Sequence, residues 1–112
     1  MKKTVVGLVV AGTALMGATS ASALEAWSPS GKAYSYTRSN NDQVGLKMHE
    51  RNVKAHADYY RTTDPSEYYT LWNKSGINQS TVYSGHGGRV TSLRTCNWVP
   101  DNDDECSKFN RG

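Results

Sequence analysis

Gln43–His49 (QVGLKMH) and Val53–Arg61 (VKAHADYYR) are the two stretches that decide the fold. Apolar side chains recur at every second position of the first stretch, as Val44, Leu46 and Met48 show. A period of two is typical of a half-buried β-strand, whereas an amphipathic helix repeats its apolar residues about every 3.6 positions. Both stretches therefore predict β-strands with one apolar face.

The alternation also predicts how these two strands pair. Their apolar faces coincide if Glu50 lies opposite Val53 across a turn at Arg51-Asn52. A shift of one residue would place the two apolar sets on opposite faces of the sheet. We therefore expect a hairpin with three pairs of apolar residues side by side: Met48 with Ala55, Leu46 with Ala57, and Val44 with Tyr59.

Further short strands, separated by turn residues, are predicted along the rest of the chain. No segment has the apolar stripe of a helix. The other predicted strands are Ala33–Arg38, Tyr68–Asn73, Ile77–Ser84 and Arg89–Val99, with a loop at Thr62–Glu67 and a hairpin turn at Asn73–Gly76. The pattern predicts an all-β fold, a small antiparallel β-sandwich of about six to seven strands.

The first 23 residues have the pattern of an export signal. Lys2 and Lys3 precede an apolar run, Thr4–Gly17, and Ala21–Ala23 provides the small residues of a cleavage site. Since the run is short for a bilayer span, we expect no stable membrane insertion after cleavage. We therefore predict an extracellular protein with a signal peptide (1–23), a flexible N-terminal arm (24–32) and a β-sandwich domain (33–112).

The two cysteines of the chain, Cys96 and Cys106, predict one disulfide. An even number of cysteines in a small exported chain is typical of a disulfide. On the chain-entropy account, closing this loop stabilises the fold by roughly 2.5–3 kcal/mol. We expect no cofactor and no metal site, since the spacing differs from that of a zinc site and no further cysteine is present.

Charge and composition argue against nucleic acid as the partner. The chain has 13 Lys and Arg residues against 10 Asp and Glu residues, and two of the lysines belong to the predicted leader. The remainder is nearly balanced, whereas nucleic-acid-binding domains carry a strong basic excess. All seven Tyr, all three Trp and the single Phe follow the leader, so aromatic side chains are the prominent chemical feature.

Two of the three histidines are predicted to be ordinary surface residues. In the expected hairpin, His49 lies opposite Lys54 and His56 lies opposite Lys47. A neighbouring cation disfavours the charged imidazole and gives a metal ion no additional ligand.

The third histidine, His86, gives a minor enzymatic alternative. It lies among three glycines, and together with Glu50 or Glu67 it would supply the residue types of a small secreted ribonuclease. The same glycines suit a tight turn, and no helix is predicted that could support such an enzyme. A structural role for this glycine-rich segment is therefore the preferred interpretation.

The acidic segment Asp101–Glu105 resembles half of a calcium-binding loop. Its sixth position is Cys106 rather than Gly, and its twelfth is Gly112 rather than Glu. We expect a solvated loop held by the disulfide, while a weak calcium site or an acidic contact surface remains open.

Exposed aromatic side chains are the best candidates for a binding surface. Tyr59-Tyr60 and Tyr68-Tyr69 each place one ring on either face of a strand, so at least two rings must point away from the core. Exposed Tyr and Trp rings commonly anchor protein partners. The predicted partner-binding residues are Trp27, Trp98, Tyr60, Tyr69, Asp101 and Asp103.

Several segments resemble small secreted proteins of actinobacteria. These are Val53–Arg61, Leu71–Gly76 and Arg94–Phe109, so the likeness extends over most of the chain after the leader. The resemblance implies an exported β-sandwich with one C-terminal disulfide and no established activity. The chain is also similar to the small adaptor subunits of secreted polymorphic toxin particles. Residues 102–105 depart from the pattern, so no partner is carried over to this chain.

Taken together, these features predict a non-enzymatic binding or adaptor module that recognises another secreted or cell-surface protein. We expect the free protein to be a monomer. A small secreted inhibitor or antibacterial factor is the first alternative, ahead of the nuclease.

Overall fold

Residues 23–50, 54–74 and 81–112 are described by a computed structural model. The predicted signal peptide up to Ser22, the turn at Arg51-Asn52 and the part of the predicted turn and strand within 75–80 lie outside these residues. The described strands are β1 (Glu25–Trp27), β2 (Ala33–Arg38), β3 (Gln43–Met48), β4 (Ala55–Arg61), β5 (Asp64–Asn73), β6 (Val82–Tyr83), β7 (Val90–Asn97) and β8 (Glu105–Cys106).

The strands form two antiparallel sheets of four strands each. Sheet A has the order β1-β2-β3-β6, and sheet B has the order β5-β4-β7-β8. The predicted all-β class and two-sheet architecture are confirmed, with eight short strands among the described residues where six to seven were expected. Within those residues, no helix is long and apolar enough to cross a membrane.

The expected hairpin between β3 and β4 is wrong. β3 pairs with β2 and β6, whereas β4 pairs with β5 and β7 in the other sheet. The chain crosses from one sheet to the other between these strands, so their apolar sets are in different sheets. Alternation specifies which face of a strand is buried, but it does not specify which strand lies alongside.

The expected core residues of this hairpin are nevertheless buried. The residues that were predicted to pair along one ladder instead line the inner faces of the two sheets. They are Val44, Leu46 and Met48 in sheet A, and Ala55, Ala57 and Tyr59 in sheet B. All six belong to one hydrophobic cluster. The predicted inward faces are therefore correct, although the partners are not.

The segment predicted to be an irregular arm contains β1. Ala26 lies opposite Ser35 and Trp27 lies opposite Tyr34 in the pairing with β2. Leu24 and Ala26 are buried, while Glu25 and Trp27 are exposed. Because β1 has only three residues, its alternation is too short to recognise in the sequence.

β5 is longer than predicted, since it begins at Asp64 rather than Tyr68. Arg61 lies opposite Asp64, so Thr62-Thr63 forms the turn, and most of the predicted loop belongs to the strand. Pro65 is accommodated because β5 lies at the edge of sheet B, where a missing backbone N–H need not interrupt a ladder.

The core between the sheets is thin because small side chains face inward. The largest fully buried apolar side chains are Leu46, Leu93 and Val44. Hydroxyl groups bridge the sheets between them: Ser35 Oγ lies 2.6 Å from Thr95 Oγ1, which donates to the carbonyl oxygen of Ala26 at 2.7 Å. Burial of apolar surface is thus supplemented by polar contacts that fix how the two sheets are positioned.

The disulfide between Cys96 and Cys106 is confirmed and joins β7 to β8. Beyond β8, Leu93 and Asn110 exchange two backbone hydrogen bonds of 3.0 and 2.7 Å. Ser107 donates its backbone N–H to the carbonyl oxygen of Thr95 at 3.0 Å. The C-terminal segment therefore continues alongside β7 as the edge of sheet B.

Replacing both Cys96 and Cys106 with serine is expected to lower the free energy of unfolding by about 2–3 kcal/mol, because the unfolded chain regains the freedom of the closed loop. Urea denaturation followed by tryptophan fluorescence measures the change. The reductant dithiothreitol should lower the wild-type midpoint toward that of the variant and leave the variant unchanged. Equal midpoints for oxidised wild type and variant would contradict this role.

Candidate functional site

The residues predicted to bind a partner lie on separate parts of the molecule. Their positions are β1 for Trp27, β4 for Tyr60, β5 for Tyr69, and the segment between β7 and β8 for Trp98, Asp101 and Asp103. Tyr60 is half-buried, and the other five are exposed. Because these residues are divided between the two sheets and a loop, the structure does not gather them into one surface.

A row of four aromatic side chains lies on the outer face of sheet A. Trp27 contacts Tyr34 at 4.6 Å between ring centres, and Tyr34 stacks on Tyr36 at 5.5 Å. Tyr36 meets the edge of Tyr83 at 6.5 Å, and their hydroxyl oxygens are 3.1 Å apart. We call Trp27, Tyr34, Tyr36 and Tyr83 the aromatic strip, which crosses the sheet from β1 to β6.

Gly45 is the residue on which two rings of the aromatic strip rest. It lies between Tyr36 and Tyr83 in the ladder of sheet A. A Cβ atom at this position would be 2.7 Å from Cζ of Tyr36 and 3.0 Å from Cε1 of Tyr83. Only glycine therefore lets both rings lie close to the backbone of β3.

Polar and charged side chains border the aromatic strip. The guanidinium carbon of Arg38 lies 4.7 Å from the centre of the Tyr83 ring, and the His49 ring lies 5.0 Å from that of Trp27. Trp27 and Tyr83 keep 49% and 43% of their surface exposed. The arrangement combines an apolar centre with a charged margin, as binding surfaces commonly do.

Sequence reasoning identified Trp27 but missed the other three residues of the aromatic strip. The available signal was the alternation in β2, where Tyr34 and Tyr36 are separated by Ser35. Large apolar residues are usually assigned to the core, which would turn these tyrosines inward. In this sandwich Ala33 and Ser35 face inward instead, and the two tyrosines are half-buried on the outer face.

A second cluster of functional groups lies on the outer face of sheet B around Asp58. One carboxylate oxygen, Oδ2, accepts hydrogen bonds from Arg94 through Nε at 2.8 Å and Nη2 at 2.7 Å. The other oxygen, Oδ1, accepts from Thr70 Oγ1 at 2.9 Å and lies 2.9 Å from Nδ1 of His56. The buried charge is therefore compensated from β4 itself and from both neighbouring strands.

His56 is buried, so its prediction as a surface histidine is wrong. It lies opposite Trp72 and Cys96 rather than Lys47, because β3 is in the other sheet. Its Nε2 atom is 2.8 Å from Oδ2 of Asp104, which belongs to the loop closed by the disulfide. The acidic loop thus contributes one carboxylate to a specific contact, while Asp101 and Asp103 stay exposed.

The two carboxylates favour the protonated form of His56. Burial of the imidazole opposes protonation, but hydrogen bonds to Asp58 and Asp104 outweigh it, and the pKa of His56 is raised above 6.5. Burial likewise opposes ionisation of Asp58, but hydrogen bonds from His56 and Arg94 outweigh it, so the pKa of this carboxyl is lowered from 3.8. The cluster is a buried network of alternating positive and negative groups.

His56, Asp58 and Cys96 place ligand atoms within 4.8 Å of one another, which raises the question of a metal ion. The sulfur of Cys96 is bonded to Cys106, so it offers no thiolate. Both ring nitrogens of His56 already contact carboxylates. The donor set of the oxidised protein therefore does not suit a metal ion, since soft metals require the deprotonated thiol.

The other two histidines are exposed. His86 places Nδ1 3.0 Å from Oδ1 of Asp42, and its ring is largely solvent-accessible. The glycines around it serve the buried Arg61, whose guanidinium donates to the carbonyl oxygens of Gly85 at 2.9 Å and Gly88 at 2.7 Å. Arg61 therefore holds the glycine-rich segment around His86 in place.

The buried network predicts how stability depends on pH. Because the folded-state pKa of His56 is raised above 6.5, its contribution is fully present below pH 6.5 and is lost as pH rises through the folded pKa. The free energy of unfolding should therefore fall over this interval. Urea denaturation at a series of pH values measures the slope, and the His56→Gln variant should reduce it. An NMR-titrated pKa of His56 at or below 6.5 would contradict the prediction.

Four residues of this network, His56, Asp58, Arg94 and Asp104, lie in two of the segments on which the expected resemblance to secreted actinobacterial proteins rests. Val53–Arg61 includes β4, and Arg94–Phe109 includes the end of β7, the disulfide and β8. No protein-family model, curated protein or solved structure significantly matches the chain.

Proposed function

We propose that this chain is an exported, non-enzymatic binding module that recognises another secreted or cell-surface protein. The observation that carries the proposal is the aromatic strip, which exposes Trp27 and Tyr83 on the outer face of sheet A. Tyr and Trp are enriched among the residues that dominate protein interfaces, because they combine large apolar area with a hydrogen-bonding group.

The shape and charge of sheet A favour a protein over a small molecule. Small ligands are usually bound in concave pockets that bury most of their surface, whereas the aromatic strip lies across the open face of a sheet. Arg38 and Lys47 point outward beside it, as does Glu25. A protein partner can cover the rings and pair with both signs of charge at the rim.

The contacts of His56 support a structural role for this residue rather than a catalytic one. A general base needs a nitrogen that can reach the proton it removes. Both ring nitrogens of His56 contact carboxylates, Nδ1 that of Asp58 and Nε2 that of Asp104. The second contact positions the C-terminal segment. We therefore assign this network to stability and the aromatic strip to recognition.

Removing the ring of Trp27 or Tyr36 from the aromatic strip is expected to weaken capture of the partner. The purified protein, the Trp27→Ala variant and the Tyr36→Ala variant would be immobilised and exposed to culture medium of the producing strain, and captured proteins quantified by mass spectrometry. Loss of an interface tryptophan typically costs about 2 kcal/mol, or roughly a 30-fold loss of affinity. Trp98→Ala is the comparison variant. Trp98 was also predicted to bind the partner and is similarly exposed, but it lies outside the aromatic strip, next to Lys54 at the end of β7, so this variant should retain capture if the strip is the binding surface.

Gly45→Ala provides a second variant that leaves every aromatic residue in place. Its Cβ should displace the rings of Tyr36 and Tyr83 and weaken capture of the same protein. Circular dichroism establishes that each variant is folded. Capture that is unchanged in the strip variants but lost in Trp98→Ala would refute the aromatic strip as the binding surface. RNA cleavage by the wild type, abolished in His86→Ala, would refute a non-enzymatic function.

A further inference from the structure

The outer edge of β5 differs from the other edges of the two sheets. β1, β6 and β8 have three, two and two residues, whereas β5 has ten. Within the described ranges β5 pairs with β4 alone. Proteins usually keep exposed edges short, because a long edge offers unpaired backbone groups to another chain.

The sequence of β5 makes this edge well suited to pairing. Tyr68–Trp72 (YYTLW) contains no charge and no proline, and it is rich in residues that favour strands. Four of these five residues are exposed. An uncharged, β-prone edge segment of this kind is expected to associate with another strand unless charges or proline interrupt it.

We propose that the edge of β5 pairs with the β5 edge of a second copy of this chain, in antiparallel orientation. The distribution of charge along β5 favours a second copy of the same strand as the partner, and it favours the antiparallel orientation. The acidic residues Asp64 and Glu67 lie at the start of β5, and Lys74 directly follows its end. Antiparallel pairing places the acidic start of each strand beside the lysine of the other, whereas parallel pairing in register would place like charges together.

A two-fold axis at Thr70 gives the best match of side chains. It sets Tyr68 opposite Trp72 of the second copy, and Tyr69 opposite Leu71, so aromatic and apolar residues pair on both faces. Lys74 then lies opposite Ser66 and diagonal to Asp64 of the second copy, within reach of its long side chain. The segment is therefore complementary to itself.

This pairing has a consequence for recognition that goes beyond the proposed function. Antiparallel strands at a sheet edge are related by an axis perpendicular to the sheet, so the two copies of sheet B form one continuous sheet. Both copies of sheet A then lie on the same side, and the two aromatic strips point in the same direction. A dimer would present two binding surfaces together and gain avidity for clustered partners. The expectation of a monomer is replaced by this proposal.

Analytical ultracentrifugation of the purified wild-type protein over a range of concentrations tests the dimer. We expect Asp64→Lys and Lys74→Asp each to weaken self-association by about tenfold, because each creates like-charge contacts at two symmetric positions. The double variant exchanges the two charges and should restore dimerisation. Glu105→Lys is the matched control, since Glu105 is an exposed acidic residue in β8, at the opposite edge of sheet B from β5.

The outcomes separate this pairing from its alternatives. Concentration-dependent dimers that are lost in the single variants and restored in the double variant support the proposal. A wild type that is monomeric up to about 1 mM would overturn it. Dimers that are insensitive to both single variants, or equally weakened by Glu105→Lys, would also overturn it.

Discussion

The central strand β4 is buried on both faces, and the rest of the structure depends on this constraint. Toward sheet A it presents alanines and a tyrosine, and on the other side it presents His56 and Asp58. Asp58 is completely buried, so its charge must be compensated within the protein. Arg94, Thr70 and His56 supply that compensation from three adjacent strands. Sheet B is therefore organised around one carboxylate as well as around its apolar face.

Covering the polar face of β4 explains the C-terminal segment and its disulfide. Asp104 contacts His56, and Phe109 packs 4.6 Å from the guanidinium carbon of Arg94. The disulfide holds this segment beside β7. It therefore lowers the entropic cost of placing Asp104 against His56 and Phe109 against Arg94. A sandwich with so few large core residues thus gains stability outside its core. The covalent bond and the ionic network act on the same segment, so their effects should be coupled.

Local sequence patterns predicted the strands and the inward faces because both depend on neighbouring residues. Leu46 and Ala57 were correctly assigned to the core, and Cys96 to a disulfide with Cys106. The strand partners depend on where the chain crosses between the sheets, which alternation does not encode. The wrong prediction that His56 is a surface residue followed from that error. Its actual neighbours Trp72 and Asp104 come from distant parts of the sequence. Tyr34 and Tyr36 were missed because Ala33 and Ser35 take the inward positions of β2.

The two outer faces of the sandwich differ in a way that bears on function. On sheet B, the segment after β7 covers part of the chain's own polar face, where Asp104 contacts His56 and Phe109 contacts Tyr68. On sheet A, the aromatic strip remains exposed although its rings are already packed against one another and against Gly45. Rings held in place before binding lose little conformational entropy on association. An exposed, preorganised aromatic row lowers solubility but favours recognition, and this balance supports our proposal that sheet A is the face that binds a partner.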